Sequence, residues 1–280
     1  MADGVPDRPT RSIDPLVRLT FQGVRGSTPV SGPEFGRTGW GTSCLSLELD
    51  GRTPSVVLDA GTGIQRLARQ LGPAPFRGLI LLTHLHWDHV HGLPFFPPGD
   101  RDGAEVTLVQ PAQGDPVEVL SGAMSPPHFP IGPGDLGGTW THVALEPGRR
   151  RWCVEGAEVD VLALDVRHKG GRAYGYRIEA GGRSLCYVPD AVDDNDDAIG
   201  ELADGVDLLV RGAPFVSAEQ ARADAYGHGT VEHALATAER AGVGRLIVTH
   251  HGPFRTDDEL DAIADRLGLE LATEGLAVDV

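Results

Sequence analysis

Lysine is almost missing from this 280-residue chain. Lys169 is the sole one among 24 lysines and arginines, set against 40 aspartates and glutamates, for a net charge of −16. Such a surface repels phosphate backbones at long range and counts against a wide nucleic-acid footprint, although the local field of a metal site still admits a small anion. Cysteine is scarce. Cys44, Cys153 and Cys186 are odd in number, scattered and in no C-x-x-C pair, which argues against a disulfide framework or a zinc knuckle and suits three buried thiols in a reducing cytosol. No apolar run approaches the ~18 residues of a membrane span. Residues 1–15, rich in Asp, Arg and Pro, lack the apolar core of a signal peptide and read as a flexible tail. The expectation is a cytoplasmic protein with one α/β domain over residues 16–280, a length that such a domain can reach.

The apolar pattern is ordinary, at 40% hydrophobic residues, and its periods place the elements. Residues 16–22, 43–49 and 55–59 read as strands, the last two joined by Asp50-Gly51-Arg52. Gly61-Thr62-Gly63 opens a helix that runs to about residue 71 and stops at Gly72-Pro73. Residues 79–83 form a fully apolar run, the mark of a buried strand, and 104–110 form another. Residues 122–138 are crowded with Pro and Gly and predict a loop near the site. Strands are predicted at 158–166, 174–179, 184–188, 207–210 and 245–249. Thr230 is placed to cap a helix at 231–241, and a second helix is predicted at 257–267 behind acidic residues that suit a helix N-terminus. Runs of strands followed by alternation with helices, twice over, predict two mixed sheets packed face to face with helices outside, and polar residues fall repeatedly just after strands.

One of those strand ends carries Thr83-His84-Leu85-His86-Trp87-Asp88-His89. Four candidate ligands in six residues are costly as ordinary structure, because buried His and Asp need partners. Imidazole with carboxylate suits zinc, iron or manganese. Isolated candidates His168, Asp190 and His250 stand at three further strand ends.

The H-x-H-x-D-H motif resembles the signature of the metallo-β-lactamase superfamily, and the resemblance runs from about Leu19 to about Leu267. Phe21-Gln22-Gly23-Val24-Arg25-Gly26-Ser27 resembles the opening strand and turn of the tRNase Z and phosphodiesterase branch. Leu58-Asp59-Ala60-Gly61-Thr62-Gly63 is similar to its Asp-x-Gly motif, Tyr187-Val188-Pro189-Asp190 to its bridging-aspartate motif, and Gly227-His228-Gly229-Thr230 to its Gly-His-Ser-Thr motif. The resemblance implies an αββα sandwich and two divalent metal ions, zinc first, with manganese or iron as alternatives. His84, His86 and His168 would hold one, Asp88, His89 and His250 the other, and Asp190 would bridge them. Metals about 3.5–4 Å apart can share a water and turn it into an attacking hydroxide. Asp88 and His228 are the implied catalytic groups, His228 facing the leaving group. Asp59 would orient a ligand histidine, and Trp87 would pack around the metals. His251 is placed beside a ligand or at the surface, and His128 either lines the pocket or belongs to plain loop.

The sequence departs from tRNase Z in three ways. Only a hairpin fits between His168 and Asp190, where a tRNA-gripping arm would stand. Arg211-Gly212-Ala213-Pro214 replaces His-Glu-Ala-Thr, so His228 lacks its carboxylate partner. No basic stripe is present. The resemblance therefore points to the armless side of the branch and to a small, anionic substrate such as a cyclic nucleotide or another phosphate diester, with no membrane and no nucleic-acid partner. Arg211 and Lys169 are candidate anion contacts. A lactonase, thioesterase or amide hydrolase on the same metals, and a non-hydrolytic metal protein or sensor, stay open. A homodimer is a family expectation only.

Overall fold

A computed structural model describes residues 17–193 and 197–280; the expected tail at 1–15 lies outside them. In chain order the strands are β1 (Val17–Gly23), β2 (Cys44–Leu49), β3 (Val56–Leu58), β4 (Arg77–Leu81), β5 (Glu105–Pro111), β6 (Thr139–Leu145), β7 (Gly148–Val154), β8 (Ala157–Val166), β9 (Ala173–Ala180), β10 (Arg183–Val188), β11 (Leu208–Gly212), β12 (Arg245–Thr249), β13 (Glu270–Leu271) and β14 (Ala277–Asp279). They form two sheets, ordered β14-β1-β2-β3-β4-β5-β6 and β13-β12-β11-β10-β9-β8-β7.

Side chains alternate across each strand, and the alternation builds two kinds of core. On β3, Val56 and Leu58 point between the sheets, where Leu19, Leu47, Leu81, Val161, Ile178 and Val210 meet them. Val57 points outward, under Ile64 and Leu67 of the helix Ile64–Leu71. Cys186 and Leu209 of the second sheet likewise lie under Leu202 of the helix Asp197–Ala203. The result is the four-layered αββα arrangement that the sequence implies.

Polar ties fasten the sheets to each other. Three of the four tyrosines, all fully buried, reach from the second sheet to the first. Tyr174 donates to the carbonyl of Leu145, Tyr176 to that of Leu82, and Tyr187 to the Asp59 carboxylate, at 2.8, 2.6 and 2.9 Å. A buried hydroxyl needs such a partner, so these bonds fix how the strand ends face each other.

The elements absent from the sequence reading are β6, β7, β13, β14 and the short helices. The edge strand β7 carries Arg149, Arg150 and Arg151 on its exposed stretch, charges that protect an edge but mask strand periodicity. Its position also corrects the expectation of three buried thiols: Cys44 and Cys186 are buried, but Cys153 on β7 is exposed. The β9–β10 turn, Gly181-Gly182, has φ of 56° and 74°, the conformation of a tight hairpin. No arm leaves the chain there. Among the described residues no helix is long and apolar enough to cross a membrane.

Arg25, fully buried after β1, clamps the loop that approaches the ligand cluster. It donates to the carbonyls of Gly39 and Arg255, both at 2.8 Å, and stands 3.6 Å from the buried Asp257 carboxylate. The next residues close on the site: Gly26 N donates to the His251 carbonyl and Ser27 N to Asp88. Removing one partner of a buried ion pair typically costs about 3–5 kcal/mol. Arg25→Ala should therefore lower unfolding stability by that order in urea titration; a change below ~1 kcal/mol would mean that the pair behaves as a surface one.

Candidate metal centre

The sheets deliver their polar residues to one edge. β4 ends at Leu81, and the chain turns through His84 and His86 into the one-turn helix Trp87–Val90, which buries Asp88 and His89. That helix rests on the β3 end through the Ala60 N to His89 O and Gly92 N to Ala60 O bonds, both 2.8 Å. Gly61 permits the contact, since a Cβ there would stand 2.1 Å from the Asp88 carbonyl. His168 follows β8, Asp190 follows β10 and His250 follows β12. His250 and Asp59 both have φ of 59°, an uncommon conformation for residues other than glycine that is found at functional sites.

The donor atoms form two sets that meet at Asp190. In one, His86 Nδ1 lies 3.2 Å from His168 Nε2, while His84 Nε2 and His168 Nε2 lie 3.5 and 3.4 Å from Asp190 Oδ2. In the other, His89 Nε2 and His250 Nε2 stand 3.3 and 3.1 Å from Asp88 Oδ2, and 3.7 and 3.0 Å from the Asp190 oxygens. Ligands bound tetrahedrally at ~2.0–2.1 Å are about 3.3 Å apart, and the observed edges scatter around that spacing. Other hydrogen bonds leave the inward nitrogens free to bind. His168 Nδ1 donates to the Gly227 carbonyl at 2.6 Å and His89 Nδ1 to Asp59 at 2.8 Å. The buried His84 Nε2 and His89 Nε2 have no hydrogen-bond partner. An unsatisfied buried nitrogen is costly, and a cation would answer it.

The electrostatics agree. Burial pushes His84 well below the usual imidazole range. Burial also opposes charge on His250, but Asp190 and Asp88 outweigh it and bring that group up to about 9. His89 is raised in the same way by Asp88 and Asp59. Against their own burial, Asp88 and Asp190 are held well below the carboxylate range by imidazoles of the cluster, chiefly His89 and His250 respectively. Two buried carboxylates among imidazoles thus require positive charge, from protons or from divalent ions that displace them.

A family model described as the β-lactamase superfamily domain matches residues 55–251, which contain every one of these donors. The chain belongs to the β-lactamase superfamily. It is similar to the ribonuclease Z of Bradyrhizobium diazoefficiens, 25% identical over 90% of this chain and 95% of that one. Its fold is that of the metallo-β-lactamase fold protein YhfI from Bacillus subtilis (TM-score 0.71, 18% identity, 94% and 99% of the two chains). A diphosphatase from the PhnP family shares it too (TM-score 0.69, 20% identity, 94% and 98% covered). This superfamily member is a metallo-β-lactamase-fold hydrolase with a metal-binding His/Asp cluster.

Around the cluster the remaining candidates separate. His228 lines a cavity of about 360 Å³ with Ser27, Asp88 and Asp190; its Nδ1 is 3.9 Å from Asp190 Oδ2, and burial lowers its pKa to about 4. Lys169 is exposed, donates from Nζ to the Ala225 carbonyl at 2.9 Å, and lines an adjoining cavity of about 260 Å³ with His86 and His168. Arg211 is turned elsewhere: its guanidinium donates to the carbonyls of Val188, Ala191 and Gly212, and it lines neither cavity. His251 is buried, with Nε2 donating to the Ala272 carbonyl at 2.8 Å. His128 is exposed and lines neither cavity. Trp87 does not pack around the cluster; it is 66% exposed. Asp193 was missed in the sequence, where it stands in the acidic run Asp193-Asp194-Asn195-Asp196-Asp197. It is buried and accepts from both the N–H and the hydroxyl of Thr230, so it pins the turn that presents His228. Thr230 in turn caps the helix Val231–Arg240, as expected.

Asp59 is surrounded by donors: Thr83 N at 2.7 Å, Thr83 Oγ1 at 2.9 Å, His89 Nδ1 and Tyr187 OH. Asp59→Asn replaces one acceptor with a donor that faces donors. Partners behind a ligand histidine are typically worth about 10–100-fold in metal affinity. Chelator competition should show a loss of that size, with unchanged affinity counting against the role of Asp59.

Proposed function

We propose that this protein hydrolyses phosphate diesters of small, anionic molecules, cyclic nucleotides among them, with two zinc ions as resident cofactor. His84, His86 and His168 would hold one ion, Asp88, His89 and His250 the other, and Asp190 would contact both. Zinc suits the imidazole-rich donors and their near-tetrahedral spacing; manganese and iron accept the same atoms. When bound, such a pair supplies Lewis acidity and a nucleophilic water at neutral pH.

The observation that carries the reading is the place of His228. It opens into the same cavity as Asp88 and Asp190, beside the shared carboxylate. There its ring can hydrogen-bond the oxygen that leaves phosphorus. With its pKa near 4 it is neutral at pH 7, so it acts on that oxygen as a hydrogen-bond donor. Ser27 N–H holds the Asp88 carboxylate at 2.6 Å, which keeps Asp88 aimed at the cluster while the substrate changes charge. The named activities of the similar proteins, a ribonuclease and a diphosphatase, both break bonds to phosphorus, which favours phosphorus over a carbonyl carbon.

The ribonuclease Z similarity favours one second reading, RNA 3′ processing. The net charge of −16, the bare β9–β10 hairpin and the absence of a carboxylate at Gly212 weigh toward small substrates. Chelator-sensitive hydrolysis of bis(p-nitrophenyl) phosphate by zinc- and manganese-loaded protein tests the main reading, with a precursor tRNA as the competing substrate. No diester turnover with two metals bound would move the chemistry to carbonyl substrates.

His228→Ala should lower kcat by about 10²–10³-fold, the usual cost of removing one hydrogen-bond donor to a developing charge, with metal content unchanged. Asp190→Ala should abolish turnover and lower the metal content; full activity with two metals retained would overturn the ligand assignment.

A further inference from the structure

The indole of Trp87 is 66% exposed although it lies inside the ligand motif. The one-turn helix Trp87–Val90 explains its direction. Asp88, His89 and Val90 occupy the buried side, which leaves Trp87 on the outer side. The ring is not loose. It stacks in offset fashion on His91, with centroids 5.4 Å apart and planes 15° apart, a contact that orients the indole and leaves most of it open to solvent. That pose borders both cavities at the site, for Leu85, His86 and Trp87 are the residues that the two share. One contains Asp88, Asp190 and His228, where the reacting ester would lie; the other contains His168, Lys169 and Gly170. An oriented, solvent-exposed indole beside a reaction centre forgoes the burial that large aromatic side chains normally gain. It offers in return a flat π surface of the kind on which bases stack irrespective of sequence.

We propose that Trp87 is the stacking platform for a nucleobase carried by the substrate, so that the diesters cleaved best are those of nucleosides. The inference rests on the phosphodiesterase reading for its activity test but not for its binding test. The phosphate lies at the His/Asp cluster, and the base lies against the free part of the indole at the ridge between the cavities. Adjoining cavities of about 360 and 260 Å³ leave room for a nucleotide's phosphate and base on either side of the indole. The acidic surface is no obstacle, because a stacked base contributes no charge.

The test compares two diesters with one leaving group, thymidine 5′-(p-nitrophenyl) phosphate and methyl p-nitrophenyl phosphate, on zinc-loaded protein. The ratio of their kcat/KM values isolates the nucleoside, and loss of metal or of active fraction in a variant cancels from it. Base–aromatic stacking corresponds to roughly 5- to 150-fold in binding. Wild type should favour the thymidine ester, and Trp87→Ala should reduce the preference by that factor, chiefly through KM. Trp87→Phe should keep part of it. Phe254→Ala, which removes another highly exposed aromatic ring (83%), should keep all of it. Independently of turnover, AMP should quench indole fluorescence where ribose 5-phosphate does not, and Trp87→Phe should abolish that quenching. A thymidine preference that survives Trp87→Ala overturns the platform and leaves the phosphodiesterase reading standing. Quenching through Trp87 with neither ester cleaved overturns the phosphodiesterase reading and supports the platform.

Discussion

One buried carboxylate ties the two sheets together at the edge where the ligands converge. Asp59 follows β3 of the first sheet, accepts from Thr83 just beyond β4 and from His89 in the ligand motif, and receives the hydroxyl of Tyr187 from β10 of the second sheet. If it moved, a ligand histidine, the entry to the motif and the strand before Asp190 would all shift together. A strained backbone at this position, φ 59°, is tolerated because four donors over-determine the side chain. The tyrosine ties below it and the Arg25 clamp beside it share that logic. They fasten the facing sheet ends and the loop whose Ser27 N–H meets Asp88, so that donor spacing is set before any ion arrives.

What the sequence made legible follows from the physics of each signal. Fully apolar runs at the cores of β4 and β12 announce themselves because both of their faces are buried. The ligand motif is legible because four donors in six residues have few structural uses. The edge strands β6 and β7 are not, since an edge strand facing solvent on one side needs polar and charged residues. Helices of seven residues or fewer, such as Asp197–Ala203 and Gln220–Tyr226, carry too few turns for a periodicity to register. The roles of single side chains were the hardest to read. Lys169 and Arg211 look alike as cations near a site and both donate to backbone carbonyls, yet Lys169 is exposed and lines a cavity while Arg211 is buried. Sequence specifies which residue is near; the rotamer decides what it meets.

The Arg211 result bears on why the chain departs from tRNase Z. A Cβ at Gly212 would stand 1.6 Å from the Pro189 carbonyl, the residue just before the shared aspartate. No side chain fits there, so the missing carboxylate is not a simple deletion that leaves a hole. The strand end packs directly against the residue before Asp190. Arg211, the preceding residue, binds the carbonyls of Val188 and Ala191 on either side of Asp190, and its guanidinium lies 3.9 Å from Asp193. Asp193 in turn holds Thr230 and hence the turn bearing His228. The turn that bears the histidine is therefore held through Thr230 by the Asp193 carboxylate, and among the described residues no carboxylate stands within hydrogen-bond distance of the ring. A carboxylate on the ring would raise the pKa of His228 and favour its charged form. Orientation through the backbone leaves burial to dominate, which keeps the imidazole neutral. Asp190, 3.9 Å from the ring, does not offset that burial, and His228 is brought down to about 4.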